Sequence, residues 1–92
     1  MLESEPEDVF LNYALAKAYV AEGDVESGLE RFDRVISLDS NYVAAYFQKG
    51  QVLADRGDLE AARDIVGRGL EVAQRTGDAH AHREMTEFLA SL

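Results

Sequence analysis

Two stretches decide the reading of this chain: Glu22-Gly23-Asp24-Val25-Glu26 and Arg56-Gly57-Asp58-Leu59-Glu60, set 34 residues apart. Each interrupts an apolar helical pattern with a charged residue and a glycine, and an aspartate opens the next pattern. A glycine just past the last turn takes the left-handed conformation that closes a helix, and the aspartate after it accepts from backbone N–H groups at the following N-terminus. So short a turn forces its two helices antiparallel. At the same offset Val9 meets Val43 and Arg34 meets Arg68, which brings the identities to five. Conservative pairs fill the intervals: Tyr13 with Phe47, Ala16 with Gly50, Tyr19 with Leu53, Gly28 with Ala62, Phe32 with Val66. The chain is an internal repeat, and its fold follows from that period.

Each unit reads as a pair of helices. Leu11, Asn12, Leu15, Ala16 and Tyr19 recur at helical spacing in the first. Val25, Leu29, Phe32, Val35 and Ile36 do so in the second, with Leu59, Ala62, Ile65, Val66 and Leu70 as their copies. Helices are predicted over roughly 7–21, 25–38, 41–55, 59–73 and 78–90, with Ser40 placed to cap the third. Arg75-Thr76-Gly77-Asp78 repeats the stop and start, and Ala81, Met85, Phe88, Leu89 and Leu92 share one face of the last helix. Extending the 34-residue register into that helix would drive His80, Arg83, Glu84 and Glu87 into the core, where unpaired charge is too costly. The register therefore slips by about a residue, and the helix is a cap. The organisation expected is an acidic leader over 1–6, two repeats at about 9–42 and 43–76 within 7–76, and a capping helix over 77–92. Glu3, Glu5, Glu7 and Asp8 read either as a helix-dipole-compatible start or as a docking tail. Gly69 stands inside a helix where Val35 is its counterpart and reads as merely permissive, so alanine there is expected to stabilise.

At this spacing the chain resembles the tetratricopeptide repeat (TPR) family. Tyr46, Gly50 and Leu53 stand at its first-helix positions in one unit, and Leu15, Ala16 and Tyr19 in the other. Gly28 and Ala62 stand at the small-residue helix crossing, followed by Phe32 and Val66. Of the unit-ending prolines only Pro6 is present, Ser40 and Gln74 replacing the later ones. The resemblance covers roughly residues 6 to 76. Asn12 departs from it at an aromatic position, Lys49 at a core leucine and Gly69 at a small alanine. It implies an all-α, right-handed stack of two antiparallel hairpins plus a capping helix. Its first helices would line a concave face that takes peptides or partner helices, and it implies no chemistry. The subfamily that clamps C-terminal carboxylates uses Lys, Asn and Arg in this groove. Only Lys17 is comparable here, since Tyr13, Ala14 and Phe47 fill the other places.

Composition bounds the remaining functions. The chain has 92 residues, 47% apolar and 29% charged, which is one domain's worth. It has no Cys, hence neither a disulfide nor a thiolate zinc site. A net charge of −9 opposes phosphate backbones and anionic lipid, so no nucleic acid and no membrane is expected as partner; the same charge would suit a salt-rich cytoplasm. The N-terminal stretch has neither the basic region nor the apolar run of a signal peptide, and the longest apolar run is Val43 to Phe47, so a cytoplasmic location is expected. Gly67-Arg68-Gly69 lies in a predicted helix with no strand before it, so it is no phosphate loop. His80 and His82 have no nucleophile beside them. No enzyme activity and no cofactor are expected. His80, Glu84 and Glu87 share a face with ligand-like spacing, but the outer face of a capping helix, with Arg83 paired to Glu87, explains them as well, and no metal is expected.

The informative feature is a second stripe on the first helix of each unit. Phe10, Tyr13, Lys17 and Val20 run beside the core residues, and Ala44, Phe47, Gln51 and Ala54 repeat them. A helix apolar on two faces wants two neighbours, and the fold supplies one. Two readings stand: Phe10, Tyr13, Lys17, Val20, Phe47, Gln48 and Gln51 form a partner-binding concave face, or these aromatics pack against one another and under the capping helix. The function expected is a non-catalytic scaffold for a protein or peptide ligand. The alternative is a homodimer formed through the same apolar face.

Overall fold

The structure, a computed structural model, describes residues 8–92. Its elements are α1 (Val9–Ala21), α2 (Val25–Leu38), α3 (Val43–Asp55), α4 (Leu59–Thr76) and α5 (Ala79–Ser91). No strand occurs among the described residues. α1 and α2 form one antiparallel hairpin, α3 and α4 a second; α2 packs on α3, and α5 closes the far side of α4. Glu3, Glu5, Glu7 and Pro6 lie outside the described residues.

The turns form as the glycines require. Gly23, Gly57 and Gly77 have φ of 90°, 87° and 78°. The residue after each donates its N–H back across the turn, Asp24 to the Tyr19 carbonyl at 2.9 Å, Asp58 to Leu53 at 2.9 Å and Asp78 to Ala73 at 2.8 Å. That bond satisfies a carbonyl which the helix end would leave open. Asp24 Oδ1 then accepts from the Ser27 N–H at 3.2 Å and Asp78 Oδ1 from Ala81 at 3.0 Å. Asp58 departs from the pattern: it makes no capping bond, and its carboxylate lies 3.7 Å from Arg56 instead.

α1 begins at Val9 behind its Asp8 cap rather than at 7, and two further boundaries differ from expectation by two or more residues. Ser40 does not cap α3. The Asp39 side chain accepts from the Asn41 N–H at 3.0 Å, the chain turns once more, and the helix begins at Val43 behind Tyr42, which makes no side-chain cap. The Ser40 carbonyl is taken by the Tyr46 hydroxyl at 2.9 Å. α4 runs on to Thr76, whose hydroxyl donates to the Val72 carbonyl at 2.9 Å, and stops only at Gly77.

The core has two contiguous clusters. Ala16, Phe32, Val35, Ala45 and Val52 join the first hairpin to α3. Tyr46, Leu53, Ala62, Ile65, Val66, Val72, Ala73 and Met85 fill the second hairpin and the seam with α5. Asn12 takes the place of Tyr46 in the first repeat and is fully buried. Its amide donates to the Asp8 carbonyl at 2.9 Å and its oxygen accepts from Arg31 at 2.8 Å. A buried amide so partnered carries little desolvation penalty. In both repeats this position ties its helix to the backbone just ahead of it.

Gly69 overturns the permissive reading. A β-carbon there would stand 2.7 Å from Tyr46 Cβ and 2.9 Å from Met85 Sδ. Tyr46 Cβ sits next to the α3 backbone and cannot swing aside. Gly69→Ala is therefore predicted to lower the melting temperature, by about 1–3 kcal/mol of overpacking. Gly67, where a β-carbon would meet nothing within 4 Å, should gain up to about 1 kcal/mol as alanine. Paired thermal melts check both signs.

The capping helix divides its work unevenly. Met85 is fully buried, whereas Phe88 and Leu89 are half-buried at the rim. Met85→Ala is predicted to cost about 2–5 kcal/mol and Phe88→Ala less, which denaturant unfolding of the two variants will rank.

Candidate partner-binding surface

The face of α3 that looks away from α4 meets α5 across an open groove of about 390 Å³. Ala44, Phe47, Gln48 and Gln51 line it from α3, and Ala81 and Glu84 from α5. The repeat carries that face onto α1: at the 34-residue offset the counterparts of Ala44, Phe47, Gln48 and Gln51 are Phe10, Tyr13, Ala14 and Lys17. The sequence thus places both stripes on corresponding faces of the first helices, because the same apolar spacing occurs twice in one register.

The side chains on these faces differ in what they touch. Phe10 is 72% exposed. Tyr13 is half-buried, with its ring edge-on to Phe32 at 6.1 Å and tilted against Tyr42 at 5.1 Å. Lys17 is exposed and holds its ammonium 5.5 Å above the Tyr13 ring. Phe47 is half-buried and meets Phe88 edge-on at 5.6 Å. Gln48 and Gln51 are half-buried in the groove wall. Val20 is turned toward α2: its Cγ2 lies where a β-carbon on Gly28 would come within 2.5 Å. Edge-to-face pairs of this kind stabilise by about 0.5–1.5 kcal/mol beyond area burial, so Tyr13 and Phe47 serve the fold whatever else they do. Phe10, Lys17, Gln48 and Gln51 carry no such structural duty on the contacts described.

Tyr42 and Phe88 join these aromatics from other elements, Phe88 from the capping-helix face already expected to pack inward. Tyr42 reaches Tyr13 from the turn ahead of α3, and Phe88 reaches Phe47 from α5. Tyr42 belongs to no helical stripe, so periodicity within one helix had no means of finding it. Charge is uneven along the groove: Lys17 sits toward α1, and Asp78 and Glu84 line the α5 end. His80 Nε2 lies 3.4 Å from Glu84, both well exposed, and Arg83 lies 3.5 Å from His80 Nδ1 rather than at Glu87. No group of three or more potential ligands among the described residues could hold a metal ion. None of their helices is long and apolar enough to cross a membrane.

This architecture defines a short helical-hairpin stack, and comparison with known proteins gives it a family. The family model of the tetratricopeptide repeat matches residues 13–79. A TPR repeat-containing protein of Pseudomonas aeruginosa is 35% identical over 92 residues, covering all of this chain and 88% of its own length. Two solved structures of a tetratricopeptide repeat domain protein from Salinibacter ruber share the right-handed stack. The solution structure has a TM-score of 0.88 at 27% identity, over 94% of this chain and 87% of its own. The crystal structure has a TM-score of 0.83 at 25% identity, over 91% and 93%. The chain belongs to the tetratricopeptide repeat family, whose fold is in general a protein–protein interaction scaffold without catalytic activity.

Burial pushes the Tyr13 hydroxyl above its ordinary value of 10.0, and Tyr42 beside it adds to the rise. The folded state thus favours the protonated ring. Its contribution to stability is whole below the unfolded value and is lost as pH rises toward the folded one. Tyrosinate absorbance is predicted to show a late alkaline step, above pH 10, that disappears in Tyr13→Phe.

Proposed function

We propose that the chain is a non-catalytic adaptor that binds a peptide or partner helix along the concave face. Phe10, Tyr13 and Lys17 of α1 form one half of that surface, and Phe47, Gln48 and Gln51 of α3 the other, with α5 as the far wall. The observation that supports this reading most directly is the 390 Å³ groove between α3 and α5, whose lining residues recur in register on α1. Phe10 adds a ring that is 72% exposed and that the fold does not use. An aromatic held on a rigid helix beside amide side chains is the usual anchor of such a surface. Lys17 supplies the positive charge on the α1 side and favours a ligand with a carboxylate at that end.

Because Tyr13 and Phe47 also pack against the body of the fold, their removal would confuse loss of binding with loss of structure. The cleaner variant changes Phe10→Asp, Lys17→Glu and Gln51→Ala together. It is predicted to melt within a few degrees of the wild type while losing captured partner proteins, since anchor residues contribute about 2 kcal/mol or more each. Capture of the same proteins by the folded variant would sink the reading. Wild-type association that grows with concentration, and that the variant abolishes, would instead assign the face to self-assembly.

A further inference from the structure

A different face of α1 carries a second inference, independent of the concave groove. In the second repeat Ala45, Lys49, Val52 and Arg56 run along α3 at helical spacing and face α2. Ala45 and Val52 join Phe32 and Val35 in one cluster. Lys49 pairs with Asp33, and Arg56 Nη1 meets Glu26 Oε2 at 2.9 Å. The same positions on α1 are Leu11, Leu15, Ala18 and Glu22. There Leu11 and Leu15 are half-buried and Ala18 and Glu22 exposed, whereas Ala45 and Val52 are buried. Leu15, Ala18, Tyr19 and Glu22 line a shallow depression of about 150 Å³.

We propose that this face receives an amphipathic helix from a separate polypeptide. It seats there as α2 seats on α3, with an apolar side chain over Leu15 and a Lys or Arg opposite Glu22. The repeat fixes the pose, and the charges fix the partner. Where α3 presents Lys49 and Arg56 to the acids of α2, α1 presents Leu15 and Glu22, so the complementary helix must be apolar at the first position and basic at the second. This chain's own helices do not meet that demand. A second copy of α2 would set Asp33 on Leu15 and Glu26 on Glu22, and α4 carries Glu60 at the Glu26 position. Residues 1–7 contain neither Lys nor Arg. The outward residues of α5, His82, Arg83, Thr86 and Glu87, are exposed and offer no apolar stripe. With a net charge of −9 the chain also draws a basic helix from a distance.

The test uses two peptides and the full chain. One peptide copies residues 24–39; the other is the same copy with Glu26→Lys and Asp33→Leu. Fluorescence anisotropy should show the altered peptide binding at least about tenfold tighter than the plain copy, as expected from one buried leucine. Amide shifts should map to Leu11, Leu15, Ala18 and Glu22. Leu15→Asp in the protein should weaken the altered peptide by a similar factor, and Glu22→Arg should remove the preference for Lys at the first altered position. Free peptides of this length are marginal helices, so each is also joined to Met1 by a Gly/Ser linker, where the altered helix should raise the melting temperature more than the plain one. Equal behaviour of the two helices in both formats overturns the proposal. So do shifts at Phe47 and Gln51 in place of Leu15, or shifts at Leu15 that grow with protein concentration without peptide, which would make a second copy the occupant.

Discussion

Gly28 brings α2 down onto α1 so closely that a β-carbon would lie 2.5 Å from Val20 Cγ2 and 3.1 Å from the Ala16 carbonyl. Gly50 does the same for α3 against Val66 of α4, at 2.2 Å, and Gly69 lets α4 reach Tyr46 and Met85 together. Ala62, fully buried, holds the position of Gly28 in the second repeat. Helices that meet through such residues pack at the short end of interhelical distance. Everything around them, the seat of Met85 and the packing of Phe32 and Val66, depends on that approach. A chain this short has little core to spare, and close crossing lets small clusters exclude water.

The part of this architecture legible in the sequence is the part encoded locally. Gly23, Gly57 and Gly77 reveal themselves because left-handed backbone is close to a glycine monopoly, and the aspartates after them because capping is a three-residue affair. The hairpins follow from those turns and from the apolar period. Gly69 was not legible. The propensity rule that marks a helix-interior glycine as a loss holds only when nothing approaches the missing β-carbon, and Tyr46 and Met85 approach it from two other helices. Ser40 misled for a related reason: it has the chemistry of a cap, but Asp39 just before it holds the chain in a further turn and Tyr46 claims its carbonyl.

The candidate surface divides along the same line. That Phe10, Tyr13, Lys17, Phe47, Gln48 and Gln51 share corresponding faces follows from register alone. How much of each ring is free is a question about other helices. Phe32, Tyr42 and Phe88 answer it for Tyr13 and Phe47, while no ring pairing holds Phe10 at its 72% exposure. Aromatics can therefore belong to a recognition face and to the fold at once, with the solvated edge available and the packed face committed. Val20 shows the opposite case, a residue on the stripe by spacing whose side chain is consumed by the crossing at Gly28.

Where the two repeats differ, the differences track their neighbours rather than drift. The turns keep Gly, Asp and Glu in both copies because each turn solves the same local problem. Tyr46 and Asn12 differ in size, yet both anchor to a carbonyl ahead of their helix, Ser40 in one case and Asp8 in the other. The amide also accepts from Arg31, a bond the phenol position does not make in the second repeat, where Arg68 lies over the Tyr46 ring at 5.8 Å. Lys49 and Arg56 occur on the face of α3 that meets the acids of α2, whereas Leu15 and Glu22 hold the same positions on α1, whose contact with α2 uses another face. Charge placed at a helix–helix seam has value only opposite its counter-charge, and exposed pairs yield little even then. The pairing of Lys49 with Asp33 and Arg56 with Glu26 thus reads as orientation: it fixes which face of α3 turns to α2, and so which face remains for the groove.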